Sequence, residues 1–123
     1  MPLNEADTCR EFITPALQRA GWAGPRLREQ YTFTDGRIFG PNRRGERKRA
    51  DYLLCYSPTF PLAVTEAKAE GAARNGIQQA KDYAQILKVH FAYATDGHTI
   101  IEIDLVAGTE QTVPGFPSPI DSS

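Results

Sequence analysis

Two stretches of the chain carry apolar residues at helical spacing, and several short runs carry them at strand spacing. In "NEADTCREFITPALQRAGW", residues Phe12, Ile13, Ala16, Leu17 and Ala20 recur three or four positions apart, which predicts a helix with Asn4 as its cap and Gly21 as its stop. Pro15 falls inside that pattern and lacks a backbone donor, so a kink or early break is expected beside it. In "NGIQQAKDYAQILKV", Ile77, Ala80, Tyr83, Ala84 and Leu87 form the second stripe and predict another helix. "EQYTFT", "ADYLLCY" and "LAVTEAK" read as strands, the last two joined across the proline-containing turn "SPTFP". "HFAYAT" and "HTIIEIDL" read as two more, with Asp96-Gly97 between them as a type I′ hairpin turn. The order is helix, three strands, helix, two strands, which implies an α/β architecture of mixed sheet and flanking helices. A parallel crossover is expected from "LAVTEAK" through the second helix to "HFAYAT".

Two segments lack periodicity. "DGRIFGPNRRGERKR" is expected to be an exposed basic loop, and "VAGTEQTVPGFPSPIDSS" a linker or extended tail. The second gives a division into a domain over residues 1–107 and a tail over 108–123.

Composition narrows the classes. A chain of 123 residues with 41% hydrophobic and 24% charged residues suits one globular core. The formal net charge of -1 gives no overall attraction to nucleic acid, so any such contact must come from local clusters of Lys and Arg. Two cysteines, Cys9 and Cys55, are too few for a disulfide framework or a Cys-rich zinc site, and a cytoplasmic location is expected. No window approaches the length of apolar residues needed to cross a membrane, and no signal-peptide pattern opens the chain.

The candidate chemistry lies in "VTEAK". Strand side chains alternate, so Glu66 and Lys68 share a face while Ala67 points away. An antiparallel pairing through "SPTFP" would bring Asp51 toward Glu66. Two carboxylates about 4 Å apart repel by roughly 4 kcal/mol at an effective dielectric near 20, a penalty that a divalent cation removes. Hard oxygen donors suit Mg²⁺ better than zinc, and a nearby Lys suits phosphodiester hydrolysis. The plainer reading of Glu66 and Lys68 is a surface ion pair at a strand end, and of Asp51 a loop cap.

"ADYLL" followed by "PLAVTEAK" resembles the signature of the PD-(D/E)XK nucleases, with Asp51, Glu66 and Lys68 matching its D, E and K. Ala50 stands where the motif's name shows proline. Gln79 and Tyr83 of "QAKDY" resemble the Q-x-x-x-Y motif of the RecB-like branch. With "NEADTCREFITPALQRAGW", "QQAKDYAQIL" and "FAYATDG" in the same order, nearly the whole chain resembles the amino-terminal nuclease domain of the restriction (R) subunit of type I restriction-modification enzymes. Where that family commonly reads Thr-Asn-Gly, this chain has Thr95-Asp96-Gly97.

The resemblance implies a restriction-endonuclease-like mixed sheet in the order αβββαββ and a Mg²⁺-dependent endodeoxyribonuclease acting on double-stranded DNA, with Mn²⁺ as a substitute ion. It implies Asp51 and Glu66 as metal ligands, completed by the backbone carbonyl of Ala67, and Lys68 as the residue assisting the water. Glu5 resembles an additional acidic residue of the superfamily, with Asp7 and Glu11 as nearby alternatives. Gln79 and Tyr83 are accessory candidates, although Tyr83 also suits core packing. Arg43, Arg44, Arg47, Lys48 and Arg49 are candidates for DNA backbone contact, against the default of a solvated basic loop. In the family this domain precedes an ATP-dependent motor, and the chain lacks a phosphate-binding loop, so ATP belongs to a missing part. Modification and specificity subunits are implied as partners through the full-length protein. Two rivals stand beside this reading: a non-catalytic docking module on the same fold, and a stand-alone repair or defence nuclease. His90 and His98 read as surface groups, and Trp22 as an anchor for the helix end.

Overall fold

A computed structural model describes residues 4–34 and 47–119. The amino-terminal helix comes in three pieces: α1 (Glu5–Thr8), a π-helical segment (Cys9–Ile13) and α2 (Thr14–Ala20). Asn4 caps the start through Oδ1, which accepts from the Asp7 N–H at 2.8 Å. The wide segment meets the difficulty posed by Pro15. An uninterrupted α-helix would press the proline ring on the preceding turn; here the Thr14 N–H reaches back five residues to the Cys9 carbonyl, and Pro15 lies in the first turn of a fresh helical piece. Gly21 ends the helix at φ 109°, a left-handed conformation that favours glycine.

Among the described residues six strands follow: β1 (Leu27–Thr34), β2 (Arg47–Ser57), β3 (Phe60–Ala67), β4 (Phe91–Thr95), β5 (Ile100–Asp104) and β6 (Thr109–Val113). They form one sheet in sequential order, antiparallel at every pair except β3 with β4. That parallel pair requires a crossover, supplied by a 3₁₀ turn (Ala73–Gly76) and α3 (Ile77–Leu87). One face of the sheet buries Val64, Ala92, Ile101 and Ile103 against Ala80 and Ala84 of α3. The other buries Tyr52, Leu54, Ala63 and Tyr93 against Ile13 and Leu17 of the amino-terminal helix and Trp22.

Three expectations change. Arg47, Lys48 and Arg49 open β2 rather than lying on a loop, because they pair with Thr34, Phe33 and Thr32. Arg43 and Arg44 lie outside the described residues. The stretch expected to be a tail from residue 108 supplies β6, and beyond it Phe116 packs against the core while the Trp22 indole N–H donates to the Pro117 carbonyl at 2.7 Å. The β4–β5 connection is not a type I′ turn, which needs two left-handed residues: of Asp96 and Gly97 only Gly97 has positive φ.

Asp96 builds that connection instead. Its Oδ1 accepts the N–H groups of His98 (2.9 Å) and Thr99 (2.7 Å), and its Oδ2 accepts from Gly71 (2.8 Å) in the loop after β3. Burial pushes this carboxyl up, but the three N–H donors outweigh it and hold the group below the usual carboxylate range. A depressed folded value adds stability above the unfolded value of about 3.9 and loses it as pH falls through the folded one. Asp96→Asn leaves one N–H donor facing an amide NH₂. We expect it to cost about 1–3 kcal/mol at pH 7, with a smaller difference at pH 3, both measured by urea unfolding.

Candidate active site

The two strands that carry the candidate acids stop pairing where those acids sit. The β2–β3 ladder runs to Tyr52 opposite Thr65. Beyond it, β2 continues against β1 back to Arg47, and β3 continues against β4 as far as Ala67. Continuing the register by one residue would set Asp51 opposite Glu66, so the sheet forks between the two carboxylates.

The fork leaves backbone donors without ladder partners, and the acids supply the acceptors. Glu66 Oε2 accepts the Asp51 N–H at 3.0 Å, and Asp51 Oδ2 accepts the Ala67 N–H at 2.8 Å. Each carboxylate is thus braced by the opposite strand's backbone through one oxygen. A second irregularity lies on the far side of β2, where Glu29 pairs with Tyr52 and Tyr31 with Ala50, but Gln30 has no partner and sits at φ 52°. There β2 also changes sides: Tyr52 packs toward the amino-terminal helix, while Ala50, two residues away, packs toward α3.

Burial and mutual repulsion load this pair. Glu66 is 2% exposed. Burial first, and the charge of Asp51 second, push its carboxyl up to about 8. Burial also raises Asp51, against the opposing pull of the Ala67 N–H, Lys68 and Arg49. Glu5, at the start of α1, is raised by burial and by Asp51, so it belongs to the same electrostatic cluster. A cleft of about 350 Å³ lies here, lined by Glu5, Ala6, Cys9, Gln30, Arg49 and Asp51. A cavity of about 550 Å³ between Tyr56, Phe60 and Phe91 lies at the other end of β2 and β3, and no carboxylate lines it.

Lys68 follows Glu66 at the end of β3, where its N–H donates to the Thr95 carbonyl at 2.8 Å. Its Nζ donates to Gln79 Oε1 at 3.2 Å, and Gln79 Nε2 donates to the Tyr83 hydroxyl at 3.0 Å. The Tyr83 ring meets Phe33 edge-on at 5.1 Å, so the tyrosine is both a core residue and the end of a polar relay. One face of α3 therefore fixes the lysine.

The expected set falls into groups. Asp51, Glu66, Lys68, Gln79 and Tyr83 converge, and Glu5 with Arg49 joins them across the cleft. His90 and His98 stay out, bonded to Asp104 (2.9 Å) and Glu70 (3.4 Å). Cys9 and Gln30 are cleft residues that sequence patterns do not flag: a π-helical turn and a left-handed strand residue leave no apolar signature. Among the described residues no group of three or more His, Cys, Asp or Glu is placed to hold a metal. No helix among the described residues is long and apolar enough to cross a membrane.

No protein-family model matches the chain. It is similar to the endonuclease subunit of the type I restriction enzyme EcoAI from Escherichia coli, with 35% identity over 130 residues, 97% of this chain and 16% of the relative. Among solved structures it is similar to a fragment described as an HsdR subunit of a type I restriction enzyme from Vibrio vulnificus. The TM-score is 0.86, with 53% identity over 99% of this chain and 25% of that one. The chain thus spans a small part of the length of both relatives.

Proposed function

We infer that this chain, which belongs to the HsdR subunit family of type I restriction enzymes, is the part of such a subunit that hydrolyses phosphodiester bonds of double-stranded DNA. The observation that carries this reading is the fork between β2 and β3, which buries Glu66 beside Asp51 and braces both with backbone donors. A fold has no packing reason to bury two mutually repelling carboxylates without a partner for their charge.

The donor chemistry fits Mg²⁺, or Mn²⁺ in its place. Asp51 and Glu66 each commit one oxygen to a backbone N–H and keep the other, and the Ala67 carbonyl would add a third hard donor. Bound there, the ion would offset the carboxylate charge and stabilise negative charge developing on the phosphate. The chain's own groups do the rest. Lys68, held by Gln79 and through it by Tyr83, presents Nζ to orient the attacking water or to donate to a phosphate oxygen. Glu5 offers an acceptor on the cleft's opposite wall, and Arg49 sets a positive group beside it for the DNA backbone. Arg47 and Lys48 extend that contact along β2. ATP use and contact with modification and specificity subunits are assigned to the remainder of the parent protein.

Plasmid cleavage by the complete restriction complex tests the assignment. Asp51→Ala and Lys68→Ala are expected to leave the plasmid uncut while DNA binding persists. Wild-type cutting by both variants would sink the reading.

A further inference from the structure

We propose that Gly76 is a positioning residue for Lys68: the absence of a side chain at 76 sets the lysine's stem, as Gln79 sets its head. The proposal rests on the nuclease reading above. At φ -90° and ψ -5° Gly76 has ordinary right-handed backbone, so its conformation does not call for glycine. The space does. A Cβ at this position would lie 3.2 Å from Lys68 Cγ, 3.4 Å from Lys68 Cε and 3.4 Å from Ala94 Cβ.

These neighbours differ in freedom. Ala94 is fully buried on β4 and paired with Glu66 on β3, so that wall cannot retreat. The Lys68 stem is the side that yields. Gly76 caps α3 and Gln79 lies three residues further on, so the surface behind the lysine and the acceptor of its Nζ come from the same helical start. A methyl group at 76 moves the stem by a few tenths of an ångström while the acceptor stays in place, and the 3.2 Å Nζ–Oε1 bond opens.

Alanine in right-handed backbone normally stabilises a protein relative to glycine, because it restricts the unfolded chain. Positioning and stability therefore separate at this residue. In the complete restriction complex, Gly76→Ala should slow single-turnover DNA cleavage by about tenfold, since small displacements of a reacting group cost rate steeply. DNA affinity should match the wild type, and Tm should equal or exceed it. Asn75→Ala, at an exposed neighbour, should leave the rate unchanged. A crystal structure of Gly76→Ala should show Nζ displaced from Gln79.

Wild-type cleavage by Gly76→Ala with the Lys68–Gln79 bond intact would overturn the proposal. So would a rate loss shared equally by Asn75→Ala, or one accompanied by a matching fall in Tm. Failure of the wild-type complex itself to cut would remove the nuclease reading, which separates that failure from one confined to Gly76.

Discussion

Glu66→Gln is expected to lower DNA cleavage by the complete complex by about 10³-fold or more and to raise the stability of the 123-residue chain without metal. Glutamine keeps an oxygen for the Asp51 N–H and carries no charge to bury. The pH dependence gives the sign. The folded value of Glu66, about 8, lies above the unfolded value of about 4.3, so its contribution is fully present below pH 4.3 and is lost as pH rises through 8. Glutamine has no such loss. The variant's advantage should therefore grow across that window, reaching on the order of 2–3 kcal/mol at its alkaline end, measured by urea unfolding in a chelating buffer. A variant less stable than the wild type at pH 8 would contradict the burial argument.

Trp22→Ala should cost about 3–5 kcal/mol, the largest loss expected of a single core substitution here. Trp22 is 1% exposed, belongs to the core under the amino-terminal helix, and donates its indole N–H to the Pro117 carbonyl. Ending the chain after Ala107 should have a comparable effect for a related reason: it removes β6, the Phe116 ring against Tyr93 at 5.6 Å, and the acceptor for Trp22. Thermal unfolding of both variants checks this. A truncated chain with the wild-type Tm would show that residues 108–119 are an appendage after all.

Residues 108–119 also mark where sequence patterns stop being informative. "TEQTV" is exposed at its first four positions and half-buried at the last, so β6 has no apolar face and leaves no period-two signal. Its strand state comes from the ladder to β5, the Gln111–Glu102 hydrogen bond at 3.3 Å and the ion pair of Lys81 with Glu110. The helices were legible because each lays one apolar stripe on the sheet. Glu66 and Lys68 were legible as a pair because alternation places them on one face, and Asp51 because a short turn joins its strand to theirs.

The fork was not legible. It depends on where two ladders part and on Gln30 at φ 52°, neither of which alters the pattern of apolar positions. The same holds for Gly76, which the sequence presents only as a residue before a helix. Its role depends on a lysine eight positions earlier that returns against it in space.

The proposed role of Asp51 and Glu66 is to hold a divalent cation together. Calorimetric titration of Mn²⁺ into the 123-residue chain tests it most directly. The wild type should bind the ion, and Asp51→Ala and Glu66→Ala should each abolish binding while remaining folded. Absence of binding to the wild type, or equal binding by a folded Asp51→Ala variant, would contradict the claim and favour a docking module on the same fold.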